Sequence, residues 1–175
     1  KKAVFGGAPA EIDVNMGVLK KDAANIVLYG PFSPVLKAKI AAAAAKKKVN
    51  VAGVCTDPLL GPYVINPVTS YGSQEMPLMT GAVDLIVTGD QFVNPSLAAI
   101  AAEYQVAVVA TETLKTKNPD AFAKEIVEQA VNSFEVRRRV AKEIPEAKES
   151  ALMGLSAAEI DVKKIAAALA GGKIK

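Results

Sequence analysis

A single cysteine, Cys55, stands at the end of the valine-rich run Val49–Val54 and is followed by Thr56, Asp57 and Pro58. A thiolate in that position could act as a nucleophile or a metal ligand. Zinc takes three or four ligands, mostly Cys and His, and this chain offers one Cys and no His. A Cys–His nucleophile pair fails for the same reason. Asp57, Asp90 and Glu112 each follow an apolar run and together could hold a hard cation or do general acid–base work. Each also has a plainer reading, as a loop carboxylate facing water, and Cys55 as a small buried hydrophobe at a strand end. No GxGxxG follows an apolar run and no P-loop is present, so dinucleotide and nucleoside triphosphate sites lack their fingerprints.

The elements that would place these residues are short β-branched runs. Asn25–Tyr29, Val49–Val54, Val83–Thr88 and Val106–Ala110 read as strands covered on both faces. Their polar exits are Tyr29-Gly30-Pro31, Cys55-Thr56-Asp57, Thr88-Gly89-Asp90-Gln91 and Thr111-Glu112-Thr113. Helices fall between them. Ser33-Pro34 opens one that runs through Lys47, Asn94-Pro95 opens Ser96–Tyr104, and Asn118-Pro119 opens the longest, to about Lys142. In that last helix Phe122, Ile126, Ala130 and Phe134 form one apolar stripe. Short pieces are expected near Tyr63–Asn66 (strand) and Gln74–Thr80 (helix broken by Pro77), with an edge strand at Ala3–Phe5. Ala151–Leu155 reads as a last strand, and Ser156–Glu159 as the capping box of a helix to Ala170.

Alternating strands and helices predict an α/β fold, a Rossmann-like three-layer sandwich with a mainly parallel sheet of four or five strands. In such a sheet ligands bind beyond the carboxyl ends of the strands, where the strand order reverses. Thr56, Asp57, Asp90 and Gln91 are therefore the candidate binding residues. Residues 1–145 read as the Rossmann-like domain, and residues 146–175 as the strand–helix start of a following unit or a C-terminal extension.

At 175 residues the chain can bury a substantial core, and its hydrophobic half is rich in alanine and valine, with no tryptophan. A net charge of +3 points to no particular partner, and Lys46–Lys48 and Arg137–Arg139 read as solvated helix surface rather than a nucleic-acid stripe. One cysteine, no signal-peptide h-region and no membrane-length apolar run predict a cytoplasmic protein without membrane or nucleic-acid partners. A first residue that is lysine fits a piece of something longer.

Several stretches, in order, resemble the catalytic subunit of anaerobic nickel–iron carbon monoxide dehydrogenase, of the hybrid-cluster/CO dehydrogenase superfamily. They are NMGVL (Asn15–Leu19), NIVLYG and PVL within Asn25–Leu36, VNVAGVCT (Val49–Thr56), SQEMPLMTGAVDLIV (Ser73–Val87) and GDQFVNPSL (Gly89–Leu97), then AKEIVEQAVNSFEVRR and GLSAAEI. The resemblance implies the middle Rossmann-like domain of a longer subunit, one that helps hold the nickel–iron–sulfur cluster interconverting carbon monoxide and carbon dioxide. It implies three ligands from this domain: a histidine after the first strand and a cysteine after each of the next two.

The family's His-Gly-His matches Tyr29-Gly30-Pro31-Phe32, and its Asp-x-Gln-Cys matches Gly89-Asp90-Gln91-Phe92. Of its Gly-Ile-Cys-Cys-Thr only one cysteine remains, as Cys55, the one candidate metal ligand the resemblance implies here, and which of the pair it replaces stays open. Iron–sulfur clusters need several thiolates, with imidazole an occasional substitute. A cofactor is therefore implied by the resemblance while its ligands are mostly absent. The expectation is a relative not catalytic alone, retained for its fold or its assembly with other subunits or domains. The alternative is a small α/β binding or assembly module using the same strand edge for a polar or anionic ligand.

Overall fold

The computed structural model describes residues 10–112, 118–153 and Ala170. The expected Ala3–Phe5 strand and the capping box and helix of residues 156–170 fall outside these, Ala170 excepted. Strands β1 (Ala10–Val14), β2 (Asn25–Tyr29), β3 (Asn50–Val54), β4 (Leu59–Leu60), β5 (Tyr63–Val64), β6 (Asn66–Thr69), β7 (Leu85–Thr88), β8 (Ala107–Ala110) and β9 (Glu149–Met153) are joined by helices α1 (Pro34–Lys46), α2 (Met76–Met79), α3 (Leu97–Glu103) and α4 (Pro119–Val136).

The main sheet has the order β6-β3-β2-β7-β8, all parallel. Its fifth strand comes from a segment in which only a short piece near Tyr63–Asn66 was expected. There β4 and β5 form a small hairpin and β6 adds itself to the sheet edge. Pro67 is tolerated in β6 because an edge strand needs hydrogen bonds on one side only. β1 and β9 pair antiparallel with each other, so the chain after Pro145 returns to lie beside Ala10–Val14.

Central strand β2 is buried along its whole length, and its alternating residues serve the two layers. Ile26 and Leu28 face a core made with Leu36, Ile40 and Ala44 of α1 and Phe122, Ile126 and Ala130 of α4. Val27 and Tyr29 face the other core, with Met16, Leu78, Leu97 and Ala101. The stripe expected on α4 is thus the one that packs, with Phe134 half-buried against its end.

Of three expectations about helix ends, one holds and two change. Ser33 does cap α1, its hydroxyl accepting from the Leu36 N–H. Asn94 does not cap α3: its side chain turns onto the N–H and hydroxyl of Ser96, and the helix begins only at Leu97. Helix α4 stops at Val136, well short of Lys142, because Arg137 turns inward to a buried position. Arg137 is therefore no part of a solvated basic surface, unlike Arg138 and Arg139, which are exposed. Among the described residues no helix is long and apolar enough to cross a membrane.

Candidate functional site

In sequence the five parallel strands come in the order β2, β3, β6, β7, β8, so the winding reverses between β2 and β7. The loops leaving those two strands flank the point where ligands of open α/β sheets bind. They touch backbone to backbone. Gly30 has a left-handed φ of 73°, and a Cβ placed on it would overlap the carbonyl oxygen of Gln91; one placed on Gly89 would overlap the carbonyl oxygen of Pro31.

Tyr29 and Gln74 hold this junction from beneath. The Tyr29 hydroxyl donates to the Gln74 carbonyl at 2.9 Å. The buried Gln74 side chain donates to the Phe92 carbonyl at 2.6 Å and accepts from the Asn94 N–H at 2.8 Å. Burial, with Glu75 adding to it, pushes the Tyr29 phenol well above its ordinary value, so it stays a neutral donor. Phe92 takes a left-handed φ of 55° and turns its ring outward, 61% exposed. Asp90 and Gln91, two of the expected binding residues, also face solvent.

The β3 exit is built differently. Cys55 is exposed, with a φ of 53°, which overturns the reading of it as a buried hydrophobe. Thr56 and Asp57 converge on Lys37, a residue the sequence reading passed over. The fully buried Lys37 ammonium donates to Thr56 Oγ1 at 2.9 Å and to Asp57 Oδ2 at 2.6 Å, with the Phe32 ring 5.5 Å away. A signal for it was present: Leu36, Ile40 and Ala44 mark the inward stripe of α1, and Lys37 lies beside that stripe one turn before the buried Ala41.

This pair is lopsided, since the Asp57 side chain is 67% exposed while Lys37 has no access to water. Removing the carboxylate strands a buried charge, whereas removing the ammonium leaves a carboxylate that water can hydrate. Asp57→Ala is expected to cost about 1–3 kcal/mol and Lys37→Met at most about 1 kcal/mol. Urea denaturation of the two variants would read this order.

Asp57, Asp90 and Glu112 do not come together, and among the described residues no group of three or more His, Cys, Asp or Glu could hold a metal ion. The carboxylate-cluster reading is thereby set aside.

The family model for the Prismane/CO dehydrogenase family matches residues 2–175. The chain belongs to this family. Relatives within it include carbon monoxide dehydrogenase 1 of Carboxydothermus hydrogenoformans, 31% identical over 182 residues, covering 90% of this chain and 28% of the relative. The carbon monoxide dehydrogenase/acetyl-CoA synthase subunit beta of Moorella thermoacetica is 30% identical over 174 residues, covering 85% of this chain and 26% of the relative. Among solved structures, carbon monoxide dehydrogenase IV from Carboxydothermus hydrogenoformans superposes with a TM-score of 0.75 at 32% identity, over 93% of this chain and 28% of that one. A Ni-free carbon monoxide dehydrogenase from Thermococcus sp. AM4 gives 0.73 at 31% identity, over 93% of this chain and 29% of that one. The chain thus spans under a third of the length of these members of the Prismane/CO dehydrogenase family.

Against the nickel–iron–sulfur cluster that the resemblance implies, the residues do not fit. The β2 exit offers a phenol already committed to Gln74, the β7 exit offers a benzyl ring, and the β3 exit offers one thiol. Thiolates and imidazoles hold such clusters, and one thiolate is too few.

Proposed function

We propose that this chain is a carbon monoxide dehydrogenase-like module that keeps the family's Rossmann-like fold and has lost its share of the cluster shell, working by assembly with other domains or subunits of a larger protein. One observation carries the reading. Where the family's resemblance calls for three ligands at three strand ends, this chain has Tyr29 to Phe32, Cys55 and Phe92, and the junction is closed by the Tyr29–Gln74 hydrogen bonds instead. Carbon monoxide oxidation, if the assembly performs it, then depends on ligands from elsewhere. The exposed Cys55 thiol suits a reducing cytoplasm.

Iron and nickel analysis of anaerobically purified protein, with electron paramagnetic resonance after reduction, tests this. The expected result is no cluster signal and metal far below one per chain. Because Cys55 is exposed, Cys55→Ser should change neither metal content nor, beyond about 0.5 kcal/mol, stability. Stoichiometric nickel with a cluster signal that disappears in Cys55→Ser would sink the proposal.

A further inference from the structure

Helices α1 and α4 lie side by side on one face of the sheet and share a core beneath them. Lys39 in the middle of α1 pairs with Asp120 at the start of α4, and Lys47, just past the end of α1, lines a hollow with Asn132 farther along α4, so the two helices run in the same sense. Between them runs an open trough, seen as two hollows of about 340 and about 310 Å³ that share Lys47, Val127 and Glu128. Its floor is apolar, made by Ala42, Ala43, Ala123 and Val127, because α1 carries alanine on its outer side as well as its inner one. Its rim is cationic: Lys39, Lys46, Lys47 and Lys124 stand against only Asp120 and Glu128. From Asp120 to Asn132 the trough follows α4 for about 18 Å, which is roughly three helical turns.

We infer that this trough seats an acidic amphipathic helix of a partner domain or subunit. A small-residue floor lets a third helix approach closely, and its apolar stripe would cover the alanines while its flanking carboxylates meet the lysines. A second copy of the chain is disfavoured, because it would set one lysine rim against another. The inference goes beyond the loss of cluster ligands and does not depend on it.

The test uses two labelled helical peptides of about fourteen residues with the same leucine stripe, one flanked by glutamate and one by lysine. Fluorescence anisotropy with the 175-residue chain should show saturable binding of the acidic peptide, at least 10-fold tighter than the basic one and weakened by salt. The exposed pair Lys46→Glu/Lys124→Glu should weaken it at least 10-fold with an unchanged thermal melt, and Ala42→Trp should block it by filling the floor. Equal binding of the two peptides, no saturable binding of the acidic one, or indifference to the charge reversal would overturn the inference. So would a dimer in sedimentation equilibrium that Ala42→Trp dissociates, since a second copy would then be the occupant.

Discussion

Replacing Arg137 with alanine is expected to destabilise the fold by about 3–5 kcal/mol, the usual cost of breaking a buried ion pair from one side. Arg137 is buried where α4 ends, and its guanidinium reaches to the opening of β7. There it donates to the Val83 carbonyl, to Asp84 Oδ1 at 3.2 Å and to the Gly81 carbonyl at 3.3 Å. Asp84 is fully buried and accepts the Asn25 N–H on its other oxygen at 2.8 Å. Asn25 in turn donates to the carbonyls of Lys20, Ala23 and Ala82 and accepts from Asn50. One network thus ties the amino ends of β2, β3 and β7 to the end of α4, opposite the ligand edge. Alanine leaves Asp84 without its hydrogen-bonded ion-pair partner and three carbonyl or carboxylate acceptors without their donor. Urea unfolding at neutral pH measures the loss, and Arg137→Met with Asp84→Leu should recover most of it, since well-packed apolar residues often replace a buried pair at little cost.

The same pair sets a pH dependence with a definite sign. Burial raises the Asp84 carboxyl above its ordinary value, while the Asn25 N–H, Lys142 and Arg137 pull it down and do not fully compensate. An acid whose folded pKa lies above its unfolded one binds its proton more tightly in the native state. Its contribution is therefore most favourable at low pH and is lost as pH rises from the unfolded value through the folded one. Arg137→Ala removes one of the opposing cations, so the Asp84 carboxyl rises further and the variant's deficit should shrink on acidification. Comparing urea midpoints at pH 4.5 and pH 7 reads this directly; a deficit that grows on acidification would contradict the assignment.

Periodicity reveals what is periodic. The four expected strands, the Ser33 cap and the α4 stripe were all legible, because coverage by neighbours selects β-branched runs and a single apolar face repeats every fourth residue. Strand β8, however, lies at the sheet edge and is only half-buried, not covered on both faces. The fifth strand was hidden because Asn66–Thr69 is short and contains Pro67, features that argue against a strand except at a sheet edge. Lys37, Gln74, Asp84 and Arg137 were missed for a different reason. Each is a polar residue whose burial is made tolerable by partners distant in sequence, Asp84 and Arg137 being 53 positions apart. Sequence resemblance pointed to the three strand exits, but it could not show that Tyr29 and Gln74 hydrogen-bond beneath the junction of two of them.

Gly30→Ala should be the other large loss, about 3 kcal/mol or more, and three further glycines separate its causes. At Gly30 an alanine meets two obstacles, the left-handed φ of 73° and the Gln91 carbonyl in the path of its Cβ. Gly61 shares the first without the second: its φ is 62°, and nothing lies within 4 Å of an added Cβ, so Gly61→Ala should cost only the conformational strain, about 1–2 kcal/mol. Gly89 shares the second without the first, and Gly89→Ala should cost about 1–3 kcal/mol as overpacking against the Pro31 carbonyl. Gly72 has neither obstacle, and Gly72→Ala should be close to neutral. Gly30 and Gly89 both lie at the one seam where the β2 and β7 exits cross, and the atoms obstructing them are backbone, which cannot swing aside as a side chain would. If Gly30→Ala proves no worse than Gly61→Ala in urea denaturation, those loops have room to part, and the junction is a loose crevice. A loss equal to the strain and the clash together means the crevice at the winding reversal is a packed seam, held shut by backbone contact.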